Sequence, residues 1–129
     1  MAKTLVFRTL PIHDLRIMLK HAKVKTYQPG DVVLQQGTAN NSLHAVIKGG
    51  CSVHKNGERI AHLLPGQFVG EMSFLTAKAV SANVVAESPT EILYWTNESL
   101  NKLFSKNNSL HKYMVTLLGH DLAIKLADS

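Results

Sequence analysis

Apolar and polar positions change rhythm twice along this chain. Near the N-terminus, Ile12, Leu15, Met18, Leu19 and Ala22 recur at helical spacing. Pro11 suits a first helical position and Asp14 suits the positive end of the helix dipole, so a helix is predicted from Pro11 to near Ala22. From Lys23 to Trp95 short apolar runs are cut by turn residues, and strands are expected at 23–27, 32–36, 43–48, 51–55, 58–64, 82–86 and 91–95. Asn56-Gly57 is the strongest hairpin signal, with Gln28-Pro-Gly-Asp31, Gly49-Gly50 and Ser88-Pro-Thr90 as further punctuation. Helical spacing returns after Thr96. Thr96 or Asn97 can cap a helix through Phe104, Lys106-Asn107-Asn108 breaks it, and a longer helix is expected over 109–127. Leu110, Tyr113, Met114, Leu117, Leu118 and Leu122 form its expected apolar face, with Leu126 as an extension. The pattern predicts a mainly β fold, a sandwich or barrel flanked by helices at both ends. It forms one domain over 1–129, with the strands at about 23–95 and the last helices at about 97–127.

The densest chemistry lies between Pro65 and Ala86. An apolar strand around Phe68-Val69 runs into a Gly70-Glu71 step and a short helix start. Such a start presents unpaired backbone N–H groups and a positive dipole end, which favour phosphate. The Glu71 carboxylate beside it can accept hydrogen bonds from a sugar hydroxyl. No arginine follows within reach to neutralise phosphate charge.

Composition narrows the function. Of 129 residues, 45% are apolar and 18% charged, as in an ordinary globular domain. No run is apolar enough to span a membrane, and the N-terminus lacks the core of a signal peptide. The net charge of +5 comes from scattered lysines and arginines without a basic block, which reads as a solvated surface rather than a nucleic-acid patch. The single cysteine, Cys51, excludes an internal disulfide, suits a reducing cytoplasm and is expected to be buried and inert. The seven histidines show no metal-binding spacing, although His44, His54 and His62 fall on strands. No nucleophile–base constellation or Walker loop is recognisable, so no enzyme activity is expected and no cofactor is implied.

The order of elements, and four glycine motifs at sensible spacing, resemble the cyclic nucleotide-binding domain. The residues that carry the resemblance are Tyr27-Gln-Pro-Gly-Asp-Val-Val-Leu-Gln-Gln-Gly37, Ser42-Leu-His-Ala-Val-Ile-Lys-Gly49, Val53-His-Lys-Asn-Gly57 and Leu64-Pro-Gly-Gln-Phe-Val-Gly-Glu-Met-Ser-Phe-Leu75. The resemblance implies a β-roll, or jelly-roll double-stranded barrel, with an N-terminal helix, a short phosphate-cassette helix and two C-terminal helices. Ile92-Leu-Tyr-Trp95, Glu98-Ser-Leu100, Leu103-Phe104 and Leu118-Gly-His-Asp-Leu-Ala-Ile-Lys-Leu126 look like the end of a Popeye domain. Gly70-Glu71-Met72-Ser73-Phe74 departs from the animal Popeye pattern and is closer to bacterial regulators, which points to a bacterial Popeye-like subgroup.

By this resemblance, the ligand is a cyclic nucleotide, cAMP first, held by Val69, Gly70, Glu71, Met72, Ser73, Val80, Ser81, Ala82 and Asn83. Glu71 would take the ribose 2′-hydroxyl. The N–H groups of Met72 and Ser73 and the Ser81 hydroxyl would approach the phosphate. Val80 stands where the family places its phosphate-pairing arginine, and Asn83 where it commonly has threonine. Losing an arginine–phosphate pair costs about 2–4 kcal/mol, or roughly 30- to 1000-fold in affinity. Other readings stay open: Gly66 and Gly70 as plain turns, Glu71 as a helix cap, Ser81 as a strand-edge residue and Trp95 as a core aromatic. The resemblance also implies a homodimer through the last helix. The expected output is a regulatory sensor; the alternative is a degenerate module kept for dimerisation or other protein interaction. No helix-turn-helix follows the last helix, so DNA is not an expected partner. A membrane-anchored parent protein, with this chain as its cytosolic domain, is compatible with the Popeye reading.

Overall fold

The computed structural model describes residues 10–127. Helix α1 (Ile12–His21) leads into β1 (Lys23–Tyr27), β2 (Val32–Leu34), β3 (Ser42–Lys48), β4 (Cys51–Lys55), β5 (Glu58–Leu63) and β6 (Phe68–Val69). Helix α2 (Glu71–Thr76) follows, then β7 (Asn83–Ala86), β8 (Thr90–Thr96), α3 (Asn97–Lys106) and α4 (Asn108–Ala127). The strands form two four-stranded sheets, ordered β1-β8-β3-β6 and β2-β7-β4-β5. Every pairing is antiparallel. This is the expected β-roll with its flanking helices. Asn56 and Gly57 both take positive φ (52° and 82°) at the β4–β5 hairpin, the conformation that an Asn-Gly turn favours.

The two-residue period of β3 and β8 separates two cores. Leu43, Ala45, Leu93 and Trp95 pack with Met18 and with the α3 and α4 side chains Leu100, Leu110 and Met114. Val46 and Ile92, on the opposite face, pack between the sheets with Leu34, Cys51, Leu63, Val69, Val80 and Val84. Trp95 is a core aromatic, and its indole N–H donates to the Met18 carbonyl at 2.8 Å, tying β8 to α1. The Thr96 hydroxyl accepts the Ser99 N–H at 3.2 Å and caps α3.

Several boundaries differ from expectation. Pro11 sits at the N-cap of α1 rather than inside it. Strand β2 stops at Leu34, and β7 starts at Asn83 because Ala82 lies in a bend. The break between the last helices shrinks to Asn107, whose Nδ2 donates to the Leu103 carbonyl at 2.9 Å and closes α3 while α4 starts at once. Tyr113 is 48% exposed, against the expected apolar face. The buried side chains Leu110, Met114 and Leu118 are four residues apart, and this sets the rotation of α4 and turns Tyr113 outward. The side chains of Leu122 and Leu126 lie outside the described residues.

Candidate functional site

Strand β6 delivers the chain to the predicted site. Val69 is fully buried, and Gly70 then turns the backbone into α2 with φ +71°. Only glycine suits this position. A Cβ there would lie 2.6 Å from Leu34 Cδ1 and 3.3 Å from Asn40 Nδ2, on top of the left-handed penalty. The Gly70 carbonyl accepts the Phe74 N–H at 3.2 Å and the Ser73 hydroxyl at 2.9 Å. Asn40 Nδ2 donates to Ser73 Oγ at 3.1 Å, while Asn40 Oδ1 accepts the Ser42 N–H at 3.1 Å. The cassette helix is thereby tied to the 37–41 loop. Its last turn closes on Ala77 (φ +60°), whose N–H reaches the Ser73 carbonyl.

The predicted residues divide into distinct environments. Glu71 and Ser73 are both buried, at 4% and 5% exposure. The Ser73 hydroxyl is held by the fold. The side chain of Met72 lies outside the described residues. Val80 is 6% exposed and joins the core between the sheets. Its N–H donates to the Thr38 carbonyl at 2.9 Å, and its carbonyl accepts the Gly37 N–H at 2.8 Å. Ala82 is buried, whereas Ser81 is exposed. Asn83 Oδ1 accepts the Gln36 N–H at 2.7 Å and is thus committed to joining β7 with the end of β2. Among these nine residues only Glu71 carries charge. The arrangement therefore places one buried carboxylate in the first turn of α2 and an aliphatic side chain at position 80. Lys78, the nearest cation in sequence, lies on the exposed turn after α2.

A cavity of about 300 Å³ opens on a different set of residues. The 37–41 loop contributes Gly37, Ala39, Asn40 and Asn41. Ser73, Phe74, Ala77 and Ala79 line it from the cassette, and Asn97 from the start of α3. Of the predicted site residues, only Ser73 belongs to this lining. Asn40 and Asn97 were not singled out from the sequence. The Asn40-Asn41 pair read there only as a polar loop, and Asn97 only as a helix cap.

Among the described residues the strand histidines do not converge on one site. His44 lies on the inner face of β3, paired across from Val69 and stacked on Tyr94 at 6.1 Å. Desolvation by burial lowers its pKa to about 4, assisted by the positive charge of Lys25 and opposed by a backbone hydrogen bond with Ser42. His54 Nε2 bonds Ser52 Oγ at 2.8 Å, and His62 pairs with Glu87 beside Arg59. Among the described residues no group of three or more His, Cys, Asp or Glu is arranged to hold a metal. Burial, followed by the Glu87 charge, pushes the Cys51 thiol up to about 11, so it is inert at neutral pH.

The family profile described as "Cyclic nucleotide-binding domain" matches residues 24–107, from β1 to the end of α3. This chain belongs to the cyclic nucleotide-binding domain family. It is 29% identical over 118 residues to cyclic GMP-binding protein C of Dictyostelium discoideum, an alignment covering 88% of this chain and 4% of that protein. It is 30% identical over 93 residues to cGMP-dependent 3′,5′-cGMP phosphodiesterase A of the same organism, covering 72% of this chain and 11% of the relative. The chain thus spans a small part of the relatives it matches, and one of them is an enzyme. The fold superposes on a cyclic nucleotide-binding domain from Methylobacillus flagellatus with a TM-score of 0.87 and 19% identity, over 98% of this chain and 78% of that one. Among the described residues no helix is long and apolar enough to cross a membrane.

Proposed function

We propose that this domain binds a purine 3′,5′-cyclic nucleotide, cAMP, at the Val69–Ser73 and Val80–Asn83 segments, and that it does so weakly. The observation that carries the reading is the left-handed Gly70 followed by the buried Glu71 at the start of α2. The first-turn amides of a helix and a carboxylate in its first turn suit a phosphate joined to a ribose. Glu71 takes the 2′-hydroxyl, and the Met72 and Ser73 N–H groups with the Ser81 hydroxyl take the phosphate. Weak affinity follows from Val80, whose aliphatic side chain packs between the sheets and supplies no charge. Closure of α3 and α4 carries the signal, to the extent that the ligand prefers one helix position over the other.

The competing ligand is cGMP, because the names of the two Dictyostelium relatives carry it. Titration calorimetry with both nucleotides tests the reading, with saturable heat expected for at least one. No heat and no thermal shift at millimolar cAMP or cGMP overturns it. A second reading, an assembly module without nucleotide binding, is supported by Val80, with the last helix as its homodimer contact. Sedimentation at low micromolar concentration separates the two. The Popeye-like placement rests on the tail residues from Ile92 to Leu126, and a cytoplasmic setting on the buried, reduced Cys51.

A further inference from the structure

From Leu10 to Tyr27 the chain carries four cations, Arg16, Lys20, Lys23 and Lys25, and one acid, Asp14. Folding separates the two signs. Asp14 is 8% exposed and shares the buried side of α1 with Met18, whereas all four cations are exposed. At about 100° per residue, Leu19, Ile12, Arg16 and Lys20 fall within an arc of about 100° on the opposite side of the helix. That outward arc mixes aliphatic side chains with positive charge: Ile12 is 65% exposed and Leu19 47%. Val24 extends the patch along β1, an edge strand. It is 55% exposed and pairs with Leu93, on the face of the sheet that packs against the helices. Lys23 and Lys25 flank it. Among the described residues none of the four cations forms an ion pair with a carboxylate. Lys25 lies over the Tyr27 ring, 5.3 Å from its centroid, a contact that leaves its charge without an anion. The one acid of β8, Glu91, stands opposite Thr26 and Lys48, toward the far end of β1.

We propose that this face of α1 and β1 docks on the surface of an anionic phospholipid bilayer. Uncompensated cations and protruding aliphatic side chains on one surface match the two layers of such a boundary. The charged heads meet lipid phosphates and carboxylates, while Ile12, Leu19 and Val24 enter the upper acyl region. Lysine and arginine suit this arrangement because their stems lie along apolar surface while their heads stay in the polar layer. A nucleic acid would match the charge alone. Its phosphates offer nothing to Ile12, Leu19 and Val24, and the arc of α1 holds no aromatic side chain on which a base could stack. Burial of Asp14 is what makes the face uniformly positive. Docking is peripheral, since no helix among the described residues can cross a membrane, and it does not require a cyclic nucleotide.

Co-sedimentation of the full chain with vesicles tests this, using equal parts phosphatidylserine and phosphatidylcholine against phosphatidylcholine alone. Saturable binding is expected to the anionic vesicles only, and it should weaken as salt rises. The double variant Arg16→Gln, Lys20→Gln should bind about 30-fold more weakly, roughly fivefold for each cation. Ile12→Asn, which keeps every charge, should bind about tenfold more weakly. All these positions are exposed, so the variants should melt with the parent. The proposal is overturned if anionic vesicles are not bound, or if both vesicle types are bound equally. It is also overturned if variants that melt with the parent bind as tightly as it does. Two further results overturn it by assigning the face to another occupant. One is RNA or polyglutamate binding more tightly than the anionic vesicles and losing affinity in the double variant. The other is self-association without vesicles that Ile12→Asn abolishes.

Discussion

Replacing Val80 by arginine tests the ligand site and the fold together. Val80 lies 6% exposed in the core between the sheets, near Leu34, Val69 and Val84. In the ligand-free protein the substitution forfeits about 1.5–3 kcal/mol of aliphatic burial. The arginine stem recovers part of that, but its unpaired guanidinium adds a desolvation cost, so a net loss of about 2–4 kcal/mol is expected. For a domain of this size that lowers the melting midpoint by roughly 10 °C. With a cyclic phosphate at the site, the guanidinium gains a charge-assisted pair worth about 2–4 kcal/mol, which tightens cAMP roughly 30- to 1000-fold. Calorimetry and thermal melts, with and without cAMP, read both effects on one sample. The expected pattern is a less stable free protein that gains more stability from cAMP than the parent does. Val80→Gln, polar but uncharged, separates charge from shape and should tighten binding far less. A Val80→Arg protein that is folded by circular dichroism, melts lower, and binds cAMP no better than the parent would refute the assignment of Val80 to the phosphate position.

Glu71→Gln keeps the shape of a buried side chain but weakens its acceptor, so cyclic nucleotide affinity should fall about tenfold while 2′-deoxy nucleotide binding stays unchanged; equal losses for both ligands would remove Glu71 from the ribose. His44 has a folded pKa of about 4 against an ordinary 6.5, so the unfolded chain binds more protons in between. Its contribution is intact above pH 6.5 and is lost as pH falls toward 4, by about 3 kcal/mol at most. Urea midpoints at neutral and mildly acid pH should therefore converge more closely in His44→Phe than in the parent, and identical pH slopes would show that His44 is not the titrating group. Ala77→Gly should stabilise the protein by about 1 kcal/mol, because Ala77 closes α2 at φ +60°, where glycine carries no Cβ penalty; a lower melting midpoint would contradict it.

Much of the fold was readable because its signals are local. Turn residues separate the strands, Asn56-Gly57 closes its hairpin, and the two-residue period of β3 and β8 sorts Leu43 from Val46 onto opposite faces. The phase of α4 was less readable. Tyr113 and Met114 are neighbours of similar apolarity, and only packing of Leu110, Met114 and Leu118 against the sheet and α3 decides which points inward. In the site, the Gly70-Glu71 step was legible as a turn into a helix start. The bond from Asn40 to Ser73 spans 33 residues and had no sequence signal beyond two turn-forming asparagines.

The sequence by itself determined the order of elements, the family and the absence of an arginine at position 80, since spacing, turn chemistry and residue identity are properties of the chain. Tertiary structure alone decided that Val80 fills the core between the sheets, that the hydroxyl of Ser73 belongs to the fold, and that Asn97 meets the 37–41 loop through its backbone N–H. The physical reason is that burial and hydrogen-bond partnership depend on which distant segments meet. Here the loop 37–41, the cassette helix and the first residue of α3 meet only when both sheets close.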